Sequence, residues 1–120
     1  MDTMTEIFGE VISTYTRAQA FEDGQLIDLE GHESTNIYKH PVAFTAALWA
    51  EVERGAGSEV DTRNARIWDV CWMASRGQEM DRSSRRSKVI IGRQTHVIYA
   101  QCHPGDDAEP VITIGFPLDF

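Results

Sequence analysis

The sequence predicts an α+β domain with an antiparallel sheet of three to four strands and about three helices packed on one face. Three observations support this class. Apolar residues recur at helical spacing as far as Ala74, they alternate at strand spacing from Lys88 onward, and turn-forming residues separate the alternating runs. Helices early and consecutive strands late point to a meander with helices laid against it. At 120 residues the chain suits one domain, spanning 1–120.

The elements follow in order. Ser13 or Thr14 is placed to cap a short helix over Thr16–Phe21 that ends at Gly24. Gln25–Leu29 reads as a short strand, and the polar run from Glu30 to Lys39 as a loop. Pro41 suits the first turn of a second helix, which carries Val42, Thr45, Trp49 and Val52 on one stripe and is broken at Gly55 to Ser58. Asp61 or Thr62 can cap a third helix, in which Ile67, Val70, Cys71 and Ala74 share a face and which Gly77 ends. Trp49, Trp68 and Trp72 fall at helical spacing and are expected mostly in the core. Gln78–Ser87 reads as a polar connection. Lys88–Ile91, a Gly92-Arg93 hairpin turn, Gln94–Cys102, a turn over His103–Glu109 and Pro110–Phe116 complete the meander. Cys71 and Cys102 are expected as free thiols in a reducing compartment.

Charge says more about function. The formal net charge is −8. Eight acids accompany a single base, Arg17, between Met1 and Thr35, and the segment from Gln101 to Phe120 holds four acids and no Lys or Arg. Arg82, Arg85, Arg86, Lys88 and Arg93 form one basic stretch free of acids. An acidic body repels phosphate and attracts basic protein surfaces, so direct nucleic-acid binding is not expected. The start of the chain lacks the basic and apolar regions of a signal peptide, and no apolar run approaches the roughly 18 residues of a membrane span. A cytoplasmic location is therefore expected.

Catalytic and cofactor patterns are weak. The four histidines share no zinc-ligand spacing with the cysteines, no Gly-x-Ser-x-Gly elbow occurs, and Gly55-Ala56-Gly57 follows a helix where a phosphate loop would precede one. No metal and no cofactor is expected. Two acidic clusters stand out. Glu22 and Asp23 lie in the last turn of a helix, where carboxylates oppose the helix dipole, and Asp106, Asp107 and Glu109 lie on a turn. With Asp28 they are the candidate partner-binding residues. Tyr15, Arg17, Glu22 and Asp23 are a rival, enzymatic grouping, with Arg17 to hold an anion and Glu22 as base.

Several stretches together carry a resemblance. They are Glu10 to Ala20, Glu22-Asp23-Gly24 with Leu26 and Asp28, His40 to Ala43, Arg66 to Val70, and Pro104 to Ile114. They resemble an uncharacterised bacterial family, a domain of unknown function found on plasmids and phages. The resemblance implies no catalytic residues. Its mobile-element setting implies, by analogy, a non-catalytic inhibitor of a host nucleic-acid-binding defence complex, of anti-CRISPR or antirestriction type, whose partner presents a basic surface. A plasmid or phage accessory or regulatory binding protein is the alternative.

Overall fold

The computed structural model describes residues 15–56 and 59–120. The expected caps Ser13 and Thr14, and Gly57 and Ser58 of the helix-breaking run, lie outside the described residues. The fold is α+β, with a six-stranded sheet where three to four strands were expected. In chain order the elements are α1 (Arg17–Glu22), β1 (Leu26–Asp28), a 3-10 turn (Glu33–Ile37), β2 (Val42–Thr45), α2 (Ala46–Glu53), α3 (Val60–Ser75), β3 (Gln78–Asp81), β4 (Ser84–Ile91), β5 (Gln94–Pro104), β6 (Pro110–Gly115) and a C-terminal 3-10 turn (Pro117–Asp119). The strands lie in the order β1-β2-β6-β5-β4-β3.

The meander forms as its alternation predicts. Ile91 pairs with Gln94 across Gly92-Arg93, with Gly92 at φ +64°, and β5 pairs with β6 from Tyr99↔Gly115 to Pro104↔Pro110. Ile98 and Ala100 share one face with Ile112 and Ile114 and enter the core. Thr113 and Gly115 lie on the other face as expected, yet are buried there.

Two expectations about secondary structure fail for identifiable reasons. Val42–Thr45 is a strand, and the helix starts only at Ala46. All four strand residues are buried, so the run has no exposed polar face, and a short run without polar alternation does not distinguish helix from strand. The strand pairs parallel with β6, Val42 opposite Ile112 and Phe44 opposite Ile114, a partner far away in sequence. Gln78–Ser87, expected as a connection, supplies β3 and the first half of β4. β3 is exposed throughout, so burial imposes no apolar alternation on it.

The core face of the sheet receives α2 and α3 through Leu48, Val52, Ile67, Val70, Cys71 and Ala74. The third helix, α1, does not join them. Its Arg17 reaches Thr113, on the opposite face of the sheet, so the helices are not all on one face. The tryptophans also depart from expectation. Trp49 packs against the core, but Trp68 and Trp72 are 38% and 45% exposed. They sit one position to the solvent side of the buried Ile67 and Cys71, and spacing alone cannot separate such neighbours.

The C-terminal turn locks onto β2. The Thr45 hydroxyl donates to Asp119 Oδ2 at 2.7 Å and accepts from the Leu48 N–H, so one side chain caps α2 and ties down the chain end. A Cβ at Gly115 would overlap the Thr45 side chain. Gly115→Ala should therefore lower stability by about 1–3 kcal/mol in urea unfolding.

Cys71 is fully buried, and burial pushes its thiol up to about 11 from 9.0. Tyr38, whose hydroxyl donates to the Cys71 carbonyl at 3.0 Å, is likewise raised by burial. Both groups stay protonated in the folded chain at a pH that ionises them in the unfolded chain. The Cys71 contribution is complete below about pH 9 and is lost as pH rises toward 11, while that of Tyr38 holds to about pH 10 and is lost above it, each at up to about 1.4 kcal/mol per pH unit. Urea midpoints measured across that window should fall steeply. In Cys71→Ala, less stable at every pH, they should fall less steeply.

Candidate functional site

The site grows from α1, a helix of six residues too short to stand alone. Its N-terminal amides are satisfied by side chains. Thr16 and Gln19 form a reciprocal capping box, Thr16 Oγ1 accepting from the Gln19 N–H at 3.0 Å and Gln19 Oε1 from the Thr16 N–H at 2.8 Å. The Arg17 and Ala18 N–H groups donate to the two carboxylate oxygens of Asp106 at 2.7 and 3.0 Å. A residue of the β5–β6 turn thus holds a helix from the start of the chain, where anions are favoured.

Arg17 is the second anchor. Nη1 donates to Thr113 Oγ1 at 2.7 Å and Nη2 to the Ile112 carbonyl at 3.0 Å. Burial lowers its pKa, against the pull of Asp28 and Asp106. Thr113 Oγ1 also lies 2.8 Å from His103 Nε2, and His103 Nδ1 lies 3.1 Å from the Pro104 carbonyl. With the proton on Nδ1, every member of this chain is satisfied. Nδ1–H donates to Pro104, the Thr113 hydroxyl donates to Nε2, and Thr113 accepts from Arg17.

These groups border a groove of about 880 Å³ on the sheet face opposite the core, lined among others by Tyr15, Arg17, Gln101, His103, Asp119 and Phe120. A hydroxyl between an imidazole and a guanidinium resembles an activated nucleophile. Here, however, Thr113 is buried, and its hydroxyl, donating to His103 and accepting from Arg17, ties α1 to the sheet as a strut. The pairing of His103 with Thr113 was missed in the sequence. Thr113 was expected on the outward face, but His103 was expected in the turn; β5 instead runs on to Pro104, and the β5–β6 register makes the two neighbours.

The six expected partner-binding carboxylates gather around α1. Asp106 sits at its N-terminal end and Glu22 and Asp23 at its C-terminal end, separated by a helix about 9 Å long. Asp28, at the end of β1, acts on Arg17 from the other side. Asp107 and Glu109 occupy the turn, where Gly105 N–H donates to the Glu109 carbonyl at 2.7 Å and Ala108 N–H to the Gly105 carbonyl at 3.0 Å. The carboxylates differ in what they already hold. Asp106 is engaged by α1, Asp28 accepts from the Glu30 N–H at 2.9 Å, and Asp23 accepts from the Tyr15 hydroxyl at 3.0 Å. Desolvation, then the bond to Asp23 and its charge, raises the Tyr15 phenol. Glu22, Asp107 and Glu109 are exposed, and their carboxylates make no hydrogen bond or ion pair among the described residues.

The rival grouping comes together only in part. Tyr15 and Arg17 share the groove and Asp23 is tied to Tyr15, while Glu22 does not line it. Arg17 uses one N–H on each terminal nitrogen to hold β6, so the guanidinium is anchored to the sheet as well as bordering the groove. Among the described residues, no three His, Cys, Asp or Glu side chains cluster as a metal site would require, and no helix is long and apolar enough to cross a membrane.

Asp106 and Asp107 therefore separate by role. Asp106→Ala frees two helix N–H groups and should cost about 0.5–2 kcal/mol in urea unfolding. Asp107→Ala should stay within about 0.5 kcal/mol of the parent. Equal losses would place Asp107 in the structural network as well.

No curated protein and no solved structure matches the chain. Residues 4–119 match a family described as a family of unknown function (DUF6573). The match spans nearly the whole chain, from the segment before α1 to the C-terminal turn, and the chain belongs to that family.

Proposed function

We propose that this protein is a non-catalytic inhibitor, carried by a phage or plasmid, that acts in the host cytoplasm by seating its acidic end on the basic nucleic-acid-binding surface of a defence complex of the CRISPR or restriction type. The observation that carries this reading is the set of unengaged carboxylates, Glu22, Asp107 and Glu109, presented on a tied helix and a hydrogen-bonded turn around α1. Carboxylates fixed in this way bind Lys and Arg side chains without first ordering a loop, so less affinity is lost on binding. A channel built for phosphate presents the complementary charge.

The basic stretch gives less support to the alternative, an accessory or regulatory protein that contacts nucleic acid. Alternation along β4 puts Arg86 and Lys88 on one face and Arg85 on the other, which divides the stretch instead of building one phosphate-binding patch. The enzymatic reading is weakened by Glu22, its expected base, which does not line the groove that Tyr15 and Arg17 share.

The test is binding to a purified CRISPR surveillance complex in competition with its target DNA. The parent protein should displace DNA, and less so at high salt. The triple variant Glu22→Lys, Asp107→Lys, Glu109→Lys should bind at least about tenfold more weakly at unchanged melting temperature. Undiminished binding by the triple variant would remove the acidic end as the contact surface. Failure of the parent to bind any defence complex would remove the reading altogether.

A further inference from the structure

We infer that the free edge of β4, beside α3, is a docking site for an extended segment of a partner protein in which carboxylates alternate with apolar residues. The site lies at the edge of the sheet remote from β1 and does not depend on the acidic end.

The edge exists because β3 is short. β3 pairs with β4 only from Ser84 to Arg86, whereas β4 continues to Ile91. In an antiparallel pair, alternate residues turn their N–H and C=O groups away from the partner strand. Along Ser87–Ile91 those groups face away from β5, and no other backbone group among the described residues bonds to them. Only another extended chain satisfies such a row in register, which fixes the conformation of the occupant.

The surroundings fix its chemistry. A cavity of about 400 Å³ adjoins the edge, lined by Asp69, Trp72, Met73, Lys88, Ile90 and neighbours. Ile90 is 63% exposed, and Trp68, Trp72 and Met73 of α3 are exposed nearby, a group of large apolar side chains that the fold does not use in its core. The Arg76 guanidinium stacks over the Trp72 ring at 4.2 Å, so that ring is held in place and flanked by positive charge. The face of β4 turned away from α3 carries Arg86 and Lys88 together with Ile90, while Val89 and Ile91 point into the core beside α3. A strand added here sends successive side chains to opposite faces. One set meets the Trp72 and Met73 side and gains by being apolar, and the other meets Arg86 and Lys88 and gains by being acidic. Charge disfavours a second copy of this edge. Antiparallel self-pairing centred on Val89 would set the Lys88 side chains of the two copies diagonally across one face.

The experiment uses the full chain, isotope-labelled, and a capped peptide of alternating glutamate and valine as probe. The amides of Ser87–Ile91 and the Trp72 indole N–H should shift on titration. Lys88→Glu, an exposed substitution, should weaken the glutamate-valine peptide roughly tenfold and strengthen a lysine-valine peptide. Trp72→Ala should weaken both peptides. The inference is overturned if the shifts map elsewhere, if Lys88→Glu leaves the peptide preference unchanged, or if a probe with proline at alternate positions, unable to supply the ladder, binds equally well. It is also overturned if sedimentation finds a dimer that Ile90→Lys dissociates, because the edge would then be occupied by a second copy.

Discussion

Strand β6 is the seam on which the rest of the fold depends. Its neighbours come from opposite parts of the chain. β2, parallel to it, belongs to the first half, and β5, antiparallel to it, belongs to the C-terminal meander. Without this strand, β1 and β2 would be a two-stranded ribbon and β3 to β5 a separate meander, each with one apolar face uncovered. Insertion of Ile112 and Ile114 between Val42 and Phe44 on one side and Ala100 and Cys102 on the other makes a single core face, which α2 and α3 can then cover. Such a sheet closes through contacts distant in sequence, so much of its chain entropy must be lost before the contacts compensate.

The candidate site inherits its order from the same strand. The Arg17 guanidinium reads two consecutive residues of β6, the Ile112 carbonyl and the Thr113 hydroxyl, and Asp106 on the turn leading into β6 holds the amides at the start of α1. The acidic end is therefore no loose collection of surface charge. One of its carboxylates is spent on making the others rigid, and the cation nearest to them is bonded to the sheet. Arg17 keeps its charge while bonded to β6 and is coupled to Asp28 and Asp106, so the negative charge of this end rests on Glu22, Asp107 and Glu109, which make no ion pair among the described residues.

The parts of this arrangement legible in the sequence are those that local rules control. The hairpin at Gly92, the alternation of Ile98 and Ala100, the helix face of Ile67, Val70, Cys71 and Ala74, and the unequal spread of charge all follow from a few neighbouring residues. The unreadable parts depend on partners far away in the chain. Val42–Thr45 is a strand because β6 and β1 flank it, and nothing inside those four residues records that. β3 is a strand because β4 offers an edge, although its own residues are all exposed. Within the site, the acidic positions could be named from composition. Their division into Asp106, which holds a helix, and Asp107, which holds nothing, depends on which way a turn carboxylate points. The His103–Thr113–Arg17 chain required the register of two pairings at once.

The order of strands also explains how one sheet carries two chemically different ends. β1 and the β5–β6 turn carry acids toward α1, while the basic stretch falls on β4, with Arg82 in the link from β3. In the linear sequence the basic residues stand between the two acidic segments and look like a local neutralising run. In the sheet, β6 and β5 separate β2 from β4, so the acids around α1 and β1 lie across the sheet from most of the basic side chains. Folding therefore segregates charge that the sequence interleaves. Segregation costs favourable attraction within the molecule, a cost that screening by salt keeps modest at such separations. What it leaves is an uneven spread, with unengaged carboxylates at the end built on α1 and Arg86 and Lys88 along β4, beside Glu79 and Asp81 of β3. The topology, more than the net charge, therefore sets where each sign of charge is presented.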